Sequence, residues 1–202
     1  PRSAFQIREV MDSGKILLVN LSKGRIGDIN AQLLGLIFVN KVNMAALSRA
    51  DVRESERRPF YLYVDEFQNF ATESFASILS EARKYRLDLI LAHQYITQMD
   101  ETVRDAVFGN VGTMMNFKIG AQDAEYMVKE MAPVFSEQDL VNMDAFKGSM
   151  KLCIAGKPSR PFSIEVQRPW LDQTYQKDTQ AAEAFKQLSR LTYGRQKDFV
   201  DR

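Results

Sequence analysis

Two adjacent carboxylates, Asp65 and Glu66, close an apolar run from Phe60 to Val64 in the stretch FYLYVDEFQNF. Tyr61, Leu62, Tyr63 and Val64 favour extended backbone and carry no charge, so the run reads as a strand buried on both faces. An unpaired buried charge at such a strand end is costly, which points to a use for the pair. Ligands of open α/β sheets sit at the carboxyl ends of the strands. An aspartate there can hold Mg²⁺ directly or through water, and the glutamate beside it can polarise an attacking water. This is the Walker B pattern of nucleotide hydrolysis. The plainer alternative is a strand followed by an acidic helix start.

Gln94 is the second residue that could do chemistry. It follows the apolar run LDLILAH, one strand beyond the carboxylates, and a polar side chain there would face the same crevice. The place suits a sensor that hydrogen-bonds a γ-phosphate or the attacking water; a glutamine satisfied by loop backbone is the alternative. His93 is the only histidine, and without a second histidine or a cysteine cluster it is assigned no ligand role. Arg83, Lys84 and Arg86 end the helix before that strand and complement its macrodipole. One of them, with Arg83 the first choice, could instead reach a neighbouring subunit's nucleotide as an arginine finger. Arg104 and Arg25 compete for that part. The sequence holds no G-x-x-x-x-G-K-[ST]; Ser22-Lys23-Gly24-Arg25-Ile26-Gly27 resembles a glycine loop after a strand but lacks the residues that position phosphate and Mg²⁺.

The elements that must place these residues alternate. After an amphipathic segment over 5–12, Lys15–Leu21 reads as a second buried strand and about 28–48 as a long helix, apolar on nearly every side and so buried, with Asp28 its N-cap. The charged stretch 50–59 reads as a surface connection. A helix over about 72–85, capped by Thr72 or Ser74, a strand over 87–93, a helix over 100–108, a strand over 113–119 and a helix over 121–131 follow. A further turn falls over 136–143, and 149–155 with 162–166 reads as an edge hairpin. Alternation of this kind predicts an α/β fold, a mostly parallel sheet with helices on both faces. Residues 1–168 form that unit; 169–202 are a polar tail with one amphipathic helix over about 179–191, ended by Gly194.

The chain has 202 residues, 45% apolar, with a net charge of +1, enough for one core and too balanced to attract nucleic acid through a global field. The single cysteine, Cys153, reads as a small buried hydrophobe, and no internal disulfide is possible. No signal peptide and no run of 18 apolar residues is found, so no span is expected and a cytoplasmic place is. A start at Pro1 without Met reads as a piece of a longer chain.

The stretches LLVNLSKGRIGDINAQLLG, YLYVDEFQNF, SILSEARKYRLDLILAHQY and VRDAVFGNVGTMMNFKIGAQDAE resemble the HerA/FtsK-type branch of RecA-like ATPases. They are most similar to the conjugative coupling proteins of type IV secretion, the TraG/TraD-like group, over about 15–166. The tail LSRLTYGRQ is similar to the segment that follows the core in such proteins. The resemblance implies a RecA-like P-loop NTPase core that is incomplete at the N-terminus, without its Walker A. It implies ATP and Mg²⁺, a ring, commonly a hexamer, that translocates DNA or protein, and contacts with secretion components; whether a membrane anchor lies upstream stays open. By position, Asp65 would be the Mg²⁺ residue, Glu66 the catalytic glutamate and Gln94 the sensor. Where FtsK-type motors carry an arginine, after the N-x-G/P-T turn, this chain has Met114. Without a Walker A, the 202 residues alone are expected to be inactive. Two other readings stay open: a non-catalytic assembly or docking module, and a superfamily-one helicase, whose V-D-E-x-Q motif Gln68 fits but whose G-D-x-x-Q turn is missing.

Overall fold

A computed structural model describes residues 3–171 and 178–195, apart from the side chains of Glu73 and Ser74. The helices are α1 (Ile7–Asp12), α2 (Lys23–Ile26), α3 (Asp28–Leu47), α4 (Glu73–Glu81), α5 (Glu101–Asn110), α6 (Ala121–Met131), α7 (Glu137–Val141) and α8 (Thr179–Tyr193). The strands are β1 (Phe60–Val64), β2 (Leu87–Leu91), β3 (Met114–Asn116), β4 (Lys147–Lys151), β5 (Cys153–Ile154), β6 (Lys157–Pro158) and β7 (Phe162–Glu165). One core joins α1, α3, β1, α4, β2, α5, α6 and α7 through Met11, Val42, Val64, Phe75, Leu87, Val103, Met131 and Leu140.

The fold is mixed α/β, but its sheets are small and mostly antiparallel, which corrects the expected mostly parallel sheet. Among the described strands only β1 and β2 run parallel, with Phe60 opposite Leu87 and Val64 opposite Leu91. β3, β4 and β7 form an antiparallel sheet, and β5 with β6 makes a small hairpin between β4 and β7. Phe146, at φ 65, precedes β4, which runs antiparallel to β3. Lys15–Leu21 forms no strand: no described strand lies beside it to take its backbone groups, and Ile16 and Leu18 are 90% and 89% exposed. β1 is covered on one face only. Val64 is buried while Tyr61 and Tyr63 face out, because no described helix lies over them. Cys153 is exposed, since it falls in the surface hairpin and not in the core.

α3 is likewise half covered. Ala31, Gly35, Val39, Val42 and Ala46 form its buried stripe, at the three- and four-residue steps of one helix face, while Ile29, Leu33 and Met44 remain exposed. Its N-cap is Gly27, not Asp28; Asp28 is the first helical residue, where a negative charge favours the helix dipole. By length and composition, 28–51 is long and apolar enough to cross a membrane, contrary to the sequence reading, and 28% of its most apolar 18-residue window is buried in this fold. Thr72 is the N-cap of α4 but its side chain makes no capping bond, and Ser74 is already within the helix; parts of the tail, 172–177 and 196–202, lie outside the described residues.

The connection over 50–59 does more than cross the surface. Arg49, just before it, is fully buried. Its Nε donates to Asp12 Oδ1 at 2.9 Å, and its Nη1 donates to the carbonyls of Arg58 at 3.0 Å and Tyr85 at 3.1 Å. Arg57 adds bonds to the carbonyls of Arg49, Val52 and Lys84. Two guanidinium groups therefore tie α1 to the chain just before β1 and just before β2. The Phe60 amide then opens the ladder on the Arg86 carbonyl at 2.9 Å.

Arg49→Met leaves the part-buried carbonyls of Arg58 and Tyr85 without this donor, so it should lower stability by about 1–3 kcal/mol. Urea unfolding followed by circular dichroism measures this. A change under about 0.5 kcal/mol, the size of an ordinary surface substitution, would show that the clamp contributes little.

Candidate functional site

The parallel pairing of β1 and β2 brings their carboxyl ends side by side. The ladder runs past the strands: the Ala92 amide donates to the Val64 carbonyl, and the Phe67 amide donates back to the Ala92 carbonyl, both at 2.9 Å. Between these two bonds the chain turns through Asp65 and Glu66. Phe67 anchors the turn, fully buried, its ring 4.6 Å from that of Phe75. Phe70 ends it against α3, where Gly35 leaves room. A Cβ built on Gly35 would lie 2.0 Å from the Phe70 ring.

Glu66 sits at φ 51, a left-handed conformation that costs a non-glycine residue on the order of 1 kcal/mol or more and needs surrounding support. Three bonds supply it. The Glu66 amide donates to Asp65 Oδ1 at 3.0 Å, and the Glu66 carbonyl accepts from both the backbone amide and the Nδ2 of Asn69, each at 3.0 Å. The carboxylate is bracketed by two carboxamides: Gln68 Nε2 donates to Oε2 at 2.6 Å, and Gln94 Nε2 donates to Oε1.

Asp65, Glu66 and Gln94 are thus brought together. Gln68, Asn69 and, through Asn69, Lys23 join them; the abundance of amides in the turn DEFQN is the one sequence signal for these. Arg83 is not among them in its own chain. It lies in the turn before β2, with Gln94 beyond the other end, and the five-residue strand alone spans roughly 16 Å. Arg104 is occupied, stacked 4.7 Å from the Tyr126 ring centroid and within 4 Å of Glu101 and Asp105. Arg25 is exposed on α2.

The residues present fit part of a magnesium–nucleotide site. Asp65 is exposed and uses one carboxylate oxygen on the Glu66 amide, leaving the other for a hydrated cation. Mg²⁺ in such sites takes one or two carboxylates, phosphate oxygens and water. No group of three or more metal-ligating side chains stands ready among the described residues, so any metal here would come with the nucleotide's phosphates. Gln68 Oε1 is buried without a partner, an acceptor beside Glu66 for a water or hydroxyl. The Ser22–Asp28 stretch supplies no phosphate cradle; it is the single turn of α2 followed by Gly27 at φ 81.

Residues 59–159 match the family described as the TraM recognition site of TraD and TraG. Among solved structures, the chain is similar to the bacterial conjugative coupling protein TrwBdeltaN70 in unbound form (15% identity, TM-score 0.58). That match covers 69% of this chain and 38% of that one. The plasmid coupling protein TrwB in complex with a non-hydrolysable GTP analogue gives 14% and 0.57 over the same shares. VirB4 of Thermoanaerobacter pseudethanolicus gives 20% and 0.51 over 75% and 41%. The chain therefore spans about two fifths of these structures and shares their mixed α/β fold. Among curated proteins none matches it.

His93, next to Gln94, carries a pH dependence. Its Nδ1 is buried without a partner, and burial pushes its pKa below the usual histidine value, opposed by the nearby buried Asp123. The unfolded chain takes up this proton near pH 6.5 while the folded chain resists it, so stability falls as pH drops below that value. Asp51, Asp139 and Asp144, all held below the usual carboxylate range, lose their contributions only near pH 4 and under. Melting temperature should fall between pH 7.5 and 5.5 in the native protein and fall less in His93→Gln. Equal slopes for the two would exclude His93 as the source.

Proposed function

The chain belongs to the family of the TraM recognition site of TraD and TraG, and on that premise we propose that it is the hydrolytic half of an ATP-driven coupling motor. It is related to conjugative coupling proteins. The observation that carries the reading is the Glu66 carboxylate, set at the end of β1 and bonded by Gln94 from the end of the parallel β2.

In this reading residues 1–168 are the carboxyl-terminal part of a RecA-like core and 169–202 a helical tail. Asp65 would hold Mg²⁺ through its free carboxylate oxygen. Bound ATP supplies the γ-phosphoryl group to be transferred to water. Glu66 accepts the proton of the attacking water, and the two carboxamides fix the direction its oxygens face. Gln94 bonds Glu66 and stands at the crevice, where it orients that water. The phosphate-binding loop comes from outside these 202 residues, and Arg83, remote from its own Glu66, acts on a neighbouring subunit's site in a ring. DNA is the cargo we favour, with the motor on the cytoplasmic side of a membrane anchor. The family's description adds a TraM-type protein as a partner, contacting residues within 59–159.

A docking module without catalysis is the second reading, favoured by that same description and by a sequence without G-x-x-x-x-G-K-[ST]. Steady-state ATP hydrolysis by the complete protein, with and without DNA, separates the two. Glu66→Gln should abolish turnover while nucleotide binding persists; near-normal turnover would sink the role of Glu66. Gln94→Ala should lower kcat about tenfold or more with little change in KM, the mark of an interaction made only in the transition state. An effect confined to KM would argue against a sensor.

A further inference from the structure

The Ser22–Asp28 stretch carries no phosphate cradle, yet it touches the Glu66 turn at one point. Lys23 Nζ lies 3.1 Å from Asn69 Oδ1 and 2.8 Å from Asp28 Oδ1. An ammonium group has three hydrogens to give and no lone pair to receive with. Its bond to Asn69 therefore fixes which end of that carboxamide is the oxygen, and the Nδ2 end is left for the Glu66 carbonyl. With the Asn69 orientation set, the left-handed Glu66 backbone keeps its side-chain donor, and the carboxylate keeps its place between Gln68 and Gln94. The single turn of α2 and the positive φ of Gly27 put Lys23 there: the Gly27 amide closes α2 on the Lys23 carbonyl, and the chain then enters α3 with Asp28 beside the ammonium.

We propose that Lys23 is a positioning residue for Glu66, acting through the Asn69 carboxamide. The proposal rests on the reading of Glu66 as the base. It makes the α2 loop a support of the proton acceptor rather than a phosphate ligand. Lys23 is half exposed, so its bond is screened and its effect is moderate. Arginine in its place keeps donors without acceptors and should substitute for it.

The test uses the complete protein with Lys23→Ala, Lys23→Arg, Asn69→Ala, the Lys23→Ala/Asn69→Ala double variant and Glu66→Gln. Lys23→Ala should lower kcat about three- to tenfold with the KM for ATP unchanged. Lys23→Arg should restore most of the rate, and the double variant should be no slower than the slower single one. Without nucleotide, hydrogen exchange of the Asn69 backbone amide, which bonds the Glu66 carbonyl, should speed up in Lys23→Ala while the melting temperature stays put. A raised KM at unchanged kcat would overturn the proposal, because Lys23 would then be a nucleotide contact. Native turnover and native exchange in Lys23→Ala, beside an inactive Glu66→Gln, would overturn it and leave the base assignment standing. Should Glu66→Gln retain turnover, the base assignment falls, and the exchange rates alone decide whether Lys23 holds the turn.

Discussion

A buried guanidinium governs the layout of this chain. Arg49 has no contact with water; its Nε goes to Asp12, its Nη1 to the carbonyl two residues before β1 and to the carbonyl two residues before β2, and its Nη2 is buried without a partner. Two parallel strands have no hairpin to set their register. Here the register is fixed from below, where one side chain holds both strand starts at a common level. Five paired residues later the strands end level, and that is why Glu66 and Gln94 meet.

The two ends of this strand pair are built from opposite chemistry. At the start, charged groups are spent on backbone carbonyls inside the fold, and Arg57 stacks 5.2 Å from the Tyr85 ring centroid. At the finish, acidic and amide side chains remain near the surface, around a glutamate whose backbone is strained. Strain of this sort persists only where neighbours over-determine it. The neighbours are Asp65 and Asn69 for the backbone and Phe67 for the anchoring of the turn. Rigidity thus sits behind the carboxylate, and the open side is left to the oxygens.

The juxtaposition of Asp65, Glu66 and Gln94 was legible in sequence because it needs only strand runs and their ends. Helices α5 and α6 were legible to within two residues, since their apolar spacing is local. That Lys15–Leu21 forms no strand was not, because an apolar run says nothing about whether a partner lies alongside. The same gap misled the reading of Tyr61 and Tyr63, whose β propensity is genuine but whose cover is absent among the described residues. Arg49 was invisible for the opposite reason: an arginine beginning a charged stretch looks solvated, and only tertiary packing encloses it. Lys23 and Asn69 lie 46 positions apart, and no periodicity relates a lysine in one loop to an asparagine in another.

The notch at Gly35 gives α3 a mechanical character. Twenty residues make a rod of about 30 Å. The Phe70 ring sits in that notch like a tooth in a rack, and Leu34 or Leu36 would fill the gap if the helix slid or turned by one residue. The same rod bears Asp28, and so the lysine bridge to Asn69, at its first turn. The rod is therefore pinned to the acidic turn at two separate points along its length, which fixes both its axial position and its rotation relative to Glu66.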